Sequence, residues 1–162
     1  MSIYVELLKL YDQTLDQARK LTADLPAEKW TYQPAPQTNH ATWVIGHLAH
    51  TSDYMAYLLG DTLRSPESWN NLFGYHSEPV SDASVYPTPK EVWAAFEDAH
   101  KHLTERVKQA PDSIWDKTPI DPSLVQYFPT NGGFALLVLG SHESFHLGQL
   151  SAWRRVQGLP RV

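Results

Sequence analysis

Four stretches of this chain carry apolar residues at helical spacing, and no proline interrupts any of them. The twelve prolines fall between these stretches, at the opening of one or beyond the last. Proline lacks a backbone donor and clashes with the preceding turn, so its absence over some 20 residues permits a helix and its clustering marks a connection. No stretch shows sustained strand alternation. These patterns predict an all-α chain of four helices, each about 30 Å long, a size suited to a four-helix bundle.

The first helix is predicted from about Ser2 to Ala23, with Tyr4, Leu7, Leu8, Tyr11, Leu15, Ala18 and Leu21 on one face and Leu25-Pro26 as its stop. The second opens near Thr38 or Asn39, either a plausible cap, and runs to about Leu59 before Gly60. The third begins at Thr88-Pro89-Lys90-Glu91, a capping box with proline at the first helical position, and closes at Pro111. The fourth follows Thr130-Asn131 and extends to about Gln157, ahead of Gly158 and Pro160. Two long connections, residues 61–87 and 111–130, are expected to cover an end of the bundle, since loops of this length usually carry a function. There is no internal repeat or linker, so residues 1–162 read as a single domain.

Composition narrows the function classes. Formal net charge is −5, with 18 acids against 13 bases, and the one basic cluster is Arg154-Arg155 with Arg161 nearby. Nucleic-acid binders need a basic face to neutralise phosphates, so none is expected as partner. No window approaches the roughly 18 apolar residues of a spanning helix, and Met1 to Glu6 do not resemble a signal peptide. A cytoplasmic protein without a membrane partner is expected. Cysteine is absent, which removes disulfides, thiolate ligands and a cysteine nucleophile together.

Chemistry concentrates on the fourth helix. At about 100° per residue, Ala135, Val138, Leu139, His142, His146, Gln149 and Trp153 share one stripe, placing two histidines at i, i+4 on the face expected to be buried. That spacing lets both imidazoles reach one metal ion, although two hydrogen-bonded core histidines would produce the same pattern. His142-Glu143-Ser144-Phe145-His146 also fits H-E-x-x-H, the zinc-protease pattern. Those enzymes take a further ligand downstream. Residues 147–162 contain no Asp, Glu, His or Cys, and Ala152 stands where a third histidine of the extended motif would fall. The protease reading fails, and any third ligand lies upstream.

The second helix offers one. His40, Trp43, Val44, His47, His50, Thr51, Tyr54 and Leu58 share a face by the same angular count. His47 lies centrally and His50 is its rival. His40 and His50 are otherwise expected to be exposed or to stand behind the ligands, and Asp53 to be exposed or to support a ligand.

Trp43-Val44-Ile45-Gly46-His47-Leu48, followed by His142-Glu143-Ser144-Phe145-His146-Leu147-Gly148-Gln149-Leu150, resembles the DinB/YfiT-like metalloprotein superfamily. The resemblance spans nearly the whole chain, including helix order and the long middle connection. It implies an up-down-down-up four-helix bundle, often a homodimer, whose divalent metal is held by His47, His142 and His146. Some members of that superfamily are transferases or isomerases that use a low-molecular-weight thiol.

An all-imidazole site suits several divalent transition metals, zinc and nickel foremost here. The expected function is a metal-dependent enzyme acting on a small-molecule substrate, first by S-transfer with an external thiol, second by hydrolysis through metal-bound water. A non-enzymatic metal-stabilised or metal-sensing dimer is the third reading. Glu143 is the candidate general base, with a solvated or inter-helix ion-pair residue as its alternative role. Trp43 and Gln149 are candidate cofactor-binding residues, Trp43 as a pocket wall and Gln149 through its amide. Gly148 is expected to permit close helix packing.

Overall fold

The structure, a computed structural model, describes residues 2–162. Its four long helices are α1 (Ile3–Thr22), α2 (Ala41–Leu58), α3 (Pro89–Gln109) and α4, which spans residues 131–156 in three segments. No strand occurs among the described residues, and none of their helices is long and apolar enough to cross a membrane.

Local chemistry accounts for the helix ends. Thr88 and Glu91 form the reciprocal capping box, with Pro89 at the first helical position. Thr130 accepts from the Gly133 amide at the start of α4. The cap of α2 differs from expectation, because neither Thr38 nor Asn39 supplies it. His40 does: its Nδ1 accepts from Trp43 N at 3.1 Å, while Nε2 donates to Val80 O at 3.0 Å. A neutral imidazole thus serves as an Asn-like cap.

Two core clusters give the direction of each helix. The first joins Ala18 and Leu21 of α1, Val44, Ile45 and Leu48 of α2, Val92 and Phe96 of α3, and Leu147, Leu150 and Trp153 of α4. The second joins Leu8 and Tyr11, Met55 and Leu58, Leu103 and Val107, and Phe134 and Val138 of the same helices. Between the clusters α1 and α4 run one way, and α2 and α3 run the other. The chain therefore goes up, down, down, up. α2 packs mainly on α3, and α1 on α4.

Parallel α2 and α3 require a connection that returns the length of the bundle. In it Trp69–Phe73 form a single helical turn, too short to leave a periodic signal in sequence, and Trp69, Phe73 and Tyr86 enter the first cluster. The later connection sends Trp115 into the second, with Leu124 and Phe128 against it. α2, flanked on several sides, is buried almost all round rather than along one stripe.

Candidate metal centre

Three histidines meet between the core clusters. His47 of α2 and His142 and His146 of α4 each offer one ligand nitrogen, and these nitrogens all lie within 4.8 Å of one another. His47 Nε2 and His142 Nε2 are 3.1 Å apart. Two imidazole lone pairs do not rest at that distance unless a proton or a cation stands between them. A shared proton would satisfy the pair but give the third imidazole no role. A cation uses all three.

The far side of the rings supports the same assignment. His47 Nδ1 donates to Phe73 O at 2.6 Å, which leaves Nε2 unprotonated and facing the centre. His146 Nδ1 donates to Gln149 Oε1 at 2.9 Å, and the same oxygen accepts from Asn39 Nδ2 at 3.1 Å. The Trp43 ring lies flat on His47, 4.6 Å between centroids and 9° between planes, and its indole N–H donates to Ser77 Oγ. Burial holds all three imidazoles neutral. It pushes the His47 pKa down to about 3 and that of His142 to about 2, with neighbouring imidazoles adding to both shifts, and it lowers that of His146 as well. Three neutral histidines, two of them with tautomers preset by Phe73 and Gln149, suit a divalent transition metal.

The family model of the DinB superfamily matches residues 10–150, most of the chain. The chain belongs to the DinB superfamily. No curated protein matches it.

In this DinB-superfamily chain the sequence-derived candidates separate into two groups. His47, His142, His146, Trp43 and Gln149 come together at the centre. The Glu143 carboxyl does not: it is buried against Thr14, with His100 Nε2 3.8 Å from the same oxygen. Burial raises its pKa to about 8, against the opposing hydrogen bonds of Thr14 and Tyr11.

His50 is outside the group of converging nitrogens. It is buried rather than exposed, with Nδ1 3.0 Å from Ser65 Oγ. His40 is likewise buried, at the α2 cap. Asp53, expected to be exposed or to support a ligand, is instead buried and accepts from the backbone amides of Arg64 and Ser65, fastening the start of the crossover. Gly148 permits no close approach, since a Cβ there would meet nothing within 4 Å. Glycines with that role are Gly132, against Tyr4 of α1, and Gly46, whose missing side chain makes room for the Phe73 ring.

The Phe73 carbonyl, Asn39 and Ser77 were not predicted. A backbone carbonyl has no residue signature. Asn39 and Ser77 reach the centre only through tertiary folding.

Proposed function

We propose that this DinB-superfamily protein is a divalent-metal-dependent enzyme whose ion, zinc or nickel, is held by His47, His142 and His146. The observation that carries the reading is the convergence of three neutral histidine nitrogens within 4.8 Å. When bound, such an ion supplies a Lewis acid able to polarise a thiol, a carbonyl or water. Phe73 O and Gln149 hold two of the rings by their outer nitrogens, and Trp43 walls one side of His47 against water.

For the reaction, S-transfer from a low-molecular-weight thiol to a small electrophilic substrate is the reading we favour. It draws on the superfamily resemblance and on the absence of cysteine, since any reacting thiol must come from outside the chain. In this reading the enzyme is a cytoplasmic homodimer formed from one domain.

Elemental analysis of the purified protein tests the centre. Metal near one per chain is expected in the native protein and little in His47→Ala, His142→Ala, His146→Ala or the triple variant. Full retention by the triple variant would remove the site. The reaction is tested separately, by incubating metal-loaded protein with electrophiles and a panel of cellular thiols. Thiol consumption no faster than with the triple variant would reject S-transfer and leave the metal centre standing.

A further inference from the structure

The fourth helix is not regular. Between the α segments Asn131–Leu137 and Glu143–Val156, residues Val138–His142 form a π-turn. Such a turn takes in about one residue more than an α-turn, so every side chain beyond it is set back by roughly one step of about 100°. Burial records the shift. Before the turn Asn131, Ala135 and Val138 face inward. Continued as a plain α-helix, that stripe would run through His142, Phe145 and Gln149. Beyond the turn the deepest stripe is instead Glu143, Leu147, Leu150 and Arg154, while Phe145 is 63% exposed.

The shift divides α4 into two working faces. Glu143 and Arg154 reach α1: the Glu143 carboxyl meets Thr14 Oγ1, and Arg154 takes Leu21 O at 2.8 Å and the Asp24 carboxylate at 2.5 and 2.9 Å. His142 and His146 lie on the neighbouring face, toward His47 of α2. The contact with Thr14 comes immediately after the π-turn, and its surroundings are closely bonded. Thr14 Oγ1 lies 2.6 Å from Tyr11 O, and the Tyr11 ring is stacked on His100 of α3 at 3.7 Å and 3°. Tyr11 Oη is 2.6 Å from Ser52 Oγ of α2, so the contact is tied to all three other helices.

We propose that Thr14 and Glu143 are positioning residues: their contact across the α1–α4 interface holds α4 in the rotation set by the π-turn and so keeps His142 and His146 turned toward His47. Glu143 then acts through the histidines and not on a substrate. The consequence for metal binding rests on the metal-centre reading above; the effect on the helix does not.

The test compares Thr14→Val and Glu143→Met, which remove the hydrogen bond at similar size, with Thr14→Ser and Glu143→Gln, which keep it. Far-UV circular dichroism identifies which variants fold, and either member of the first pair suffices. In metal-free protein, amide hydrogen exchange across residues 138–143 should quicken at least ~10-fold in Thr14→Val and Glu143→Met, and stay near native in Thr14→Ser and Glu143→Gln. In cobalt-loaded protein the first pair should bind Co²⁺ about 10- to 100-fold more weakly and show altered visible bands, as when a group behind a metal ligand is lost, with native bands in the second pair. Native exchange in the hydrogen-bond-deleting variants would overturn the proposal. So would native cobalt affinity and bands in those variants. If the unaltered protein binds no cobalt, the metal reading fails while the exchange experiment still decides the role of the contact.

Discussion

Residue 46 illustrates how little side chain a decisive position needs. A Cβ at Gly46 would overlap the Phe73 ring, which is fully buried and has no room to retreat. The carbonyl of that same phenylalanine holds His47. Gly46→Ala should therefore cost about 1–3 kcal/mol by overpacking and weaken metal retention at the same time. Urea unfolding and elemental analysis of one sample check both, and a loss of stability with metal content intact would separate the two roles. At this scale the sequence was informative about which histidines converge and uninformative about what aims them. The i, i+4 spacing and the barren tail exposed His142, His146 and the need for an upstream partner. Angular counting could not choose between His47 and His50. They lie only about 60° apart on a helix that is buried nearly all round. Phe73 O and Ser65 Oγ hold the two in different surroundings, and both belong to a crossover whose path no periodicity describes.

Among the elements, the caps and prolines of α3 and α4 were legible because capping is local chemistry. The π-turn was not: an angular count carried through residue 138 in strict α geometry kept Trp153, which is buried, but passed over Glu143, Leu147, Leu150 and Arg154, which lie at least as deep. The cap of α2 carries a pH dependence of its own. Burial lowers the His40 pKa from 6.5 to about 4, and protonation would abolish the Nδ1 lone pair that accepts from Trp43 N. The unfolded chain takes up the proton first, so the contribution of His40 is complete above pH 6.5 and is lost as pH falls toward 4. The shift corresponds to about 3 kcal/mol. His40→Asn keeps a capping acceptor without a titrating group. Urea unfolding at pH 7 and pH 4.5 should show stability falling less steeply in the variant, by close to one proton; parallel slopes would contradict the assignment. The other buried histidines titrate in both proteins and cancel in the comparison.

For the molecule as a whole, the all-α class and the number of long helices were readable from period and proline placement. Their directions came only from resemblance, and the two core clusters supply them physically. A centre that joins α2 to α4 also links metal binding to global stability. An ion bound only by the folded chain should add about 4 kcal/mol at a thousandfold excess over its Kd. A chelator should lower the urea midpoint of the native protein by a corresponding amount and leave that of His47→Ala unmoved. An unchanged native midpoint would mean that the ion does not bridge the helices.

The parallel course of α2 and α3 sets a timetable as well as a shape. Helices form in about a microsecond from neighbouring residues, whereas contacts across long chain separations wait for larger loops to close. His47 must find Phe73 at the far side of the crossover and His142 ninety-five residues along the chain. In refolding from urea with cobalt present, helical circular dichroism should therefore recover before the visible cobalt bands. On the metal-centre reading, the chain becomes helical first and able to hold an ion later, so the ion meets a largely folded protein.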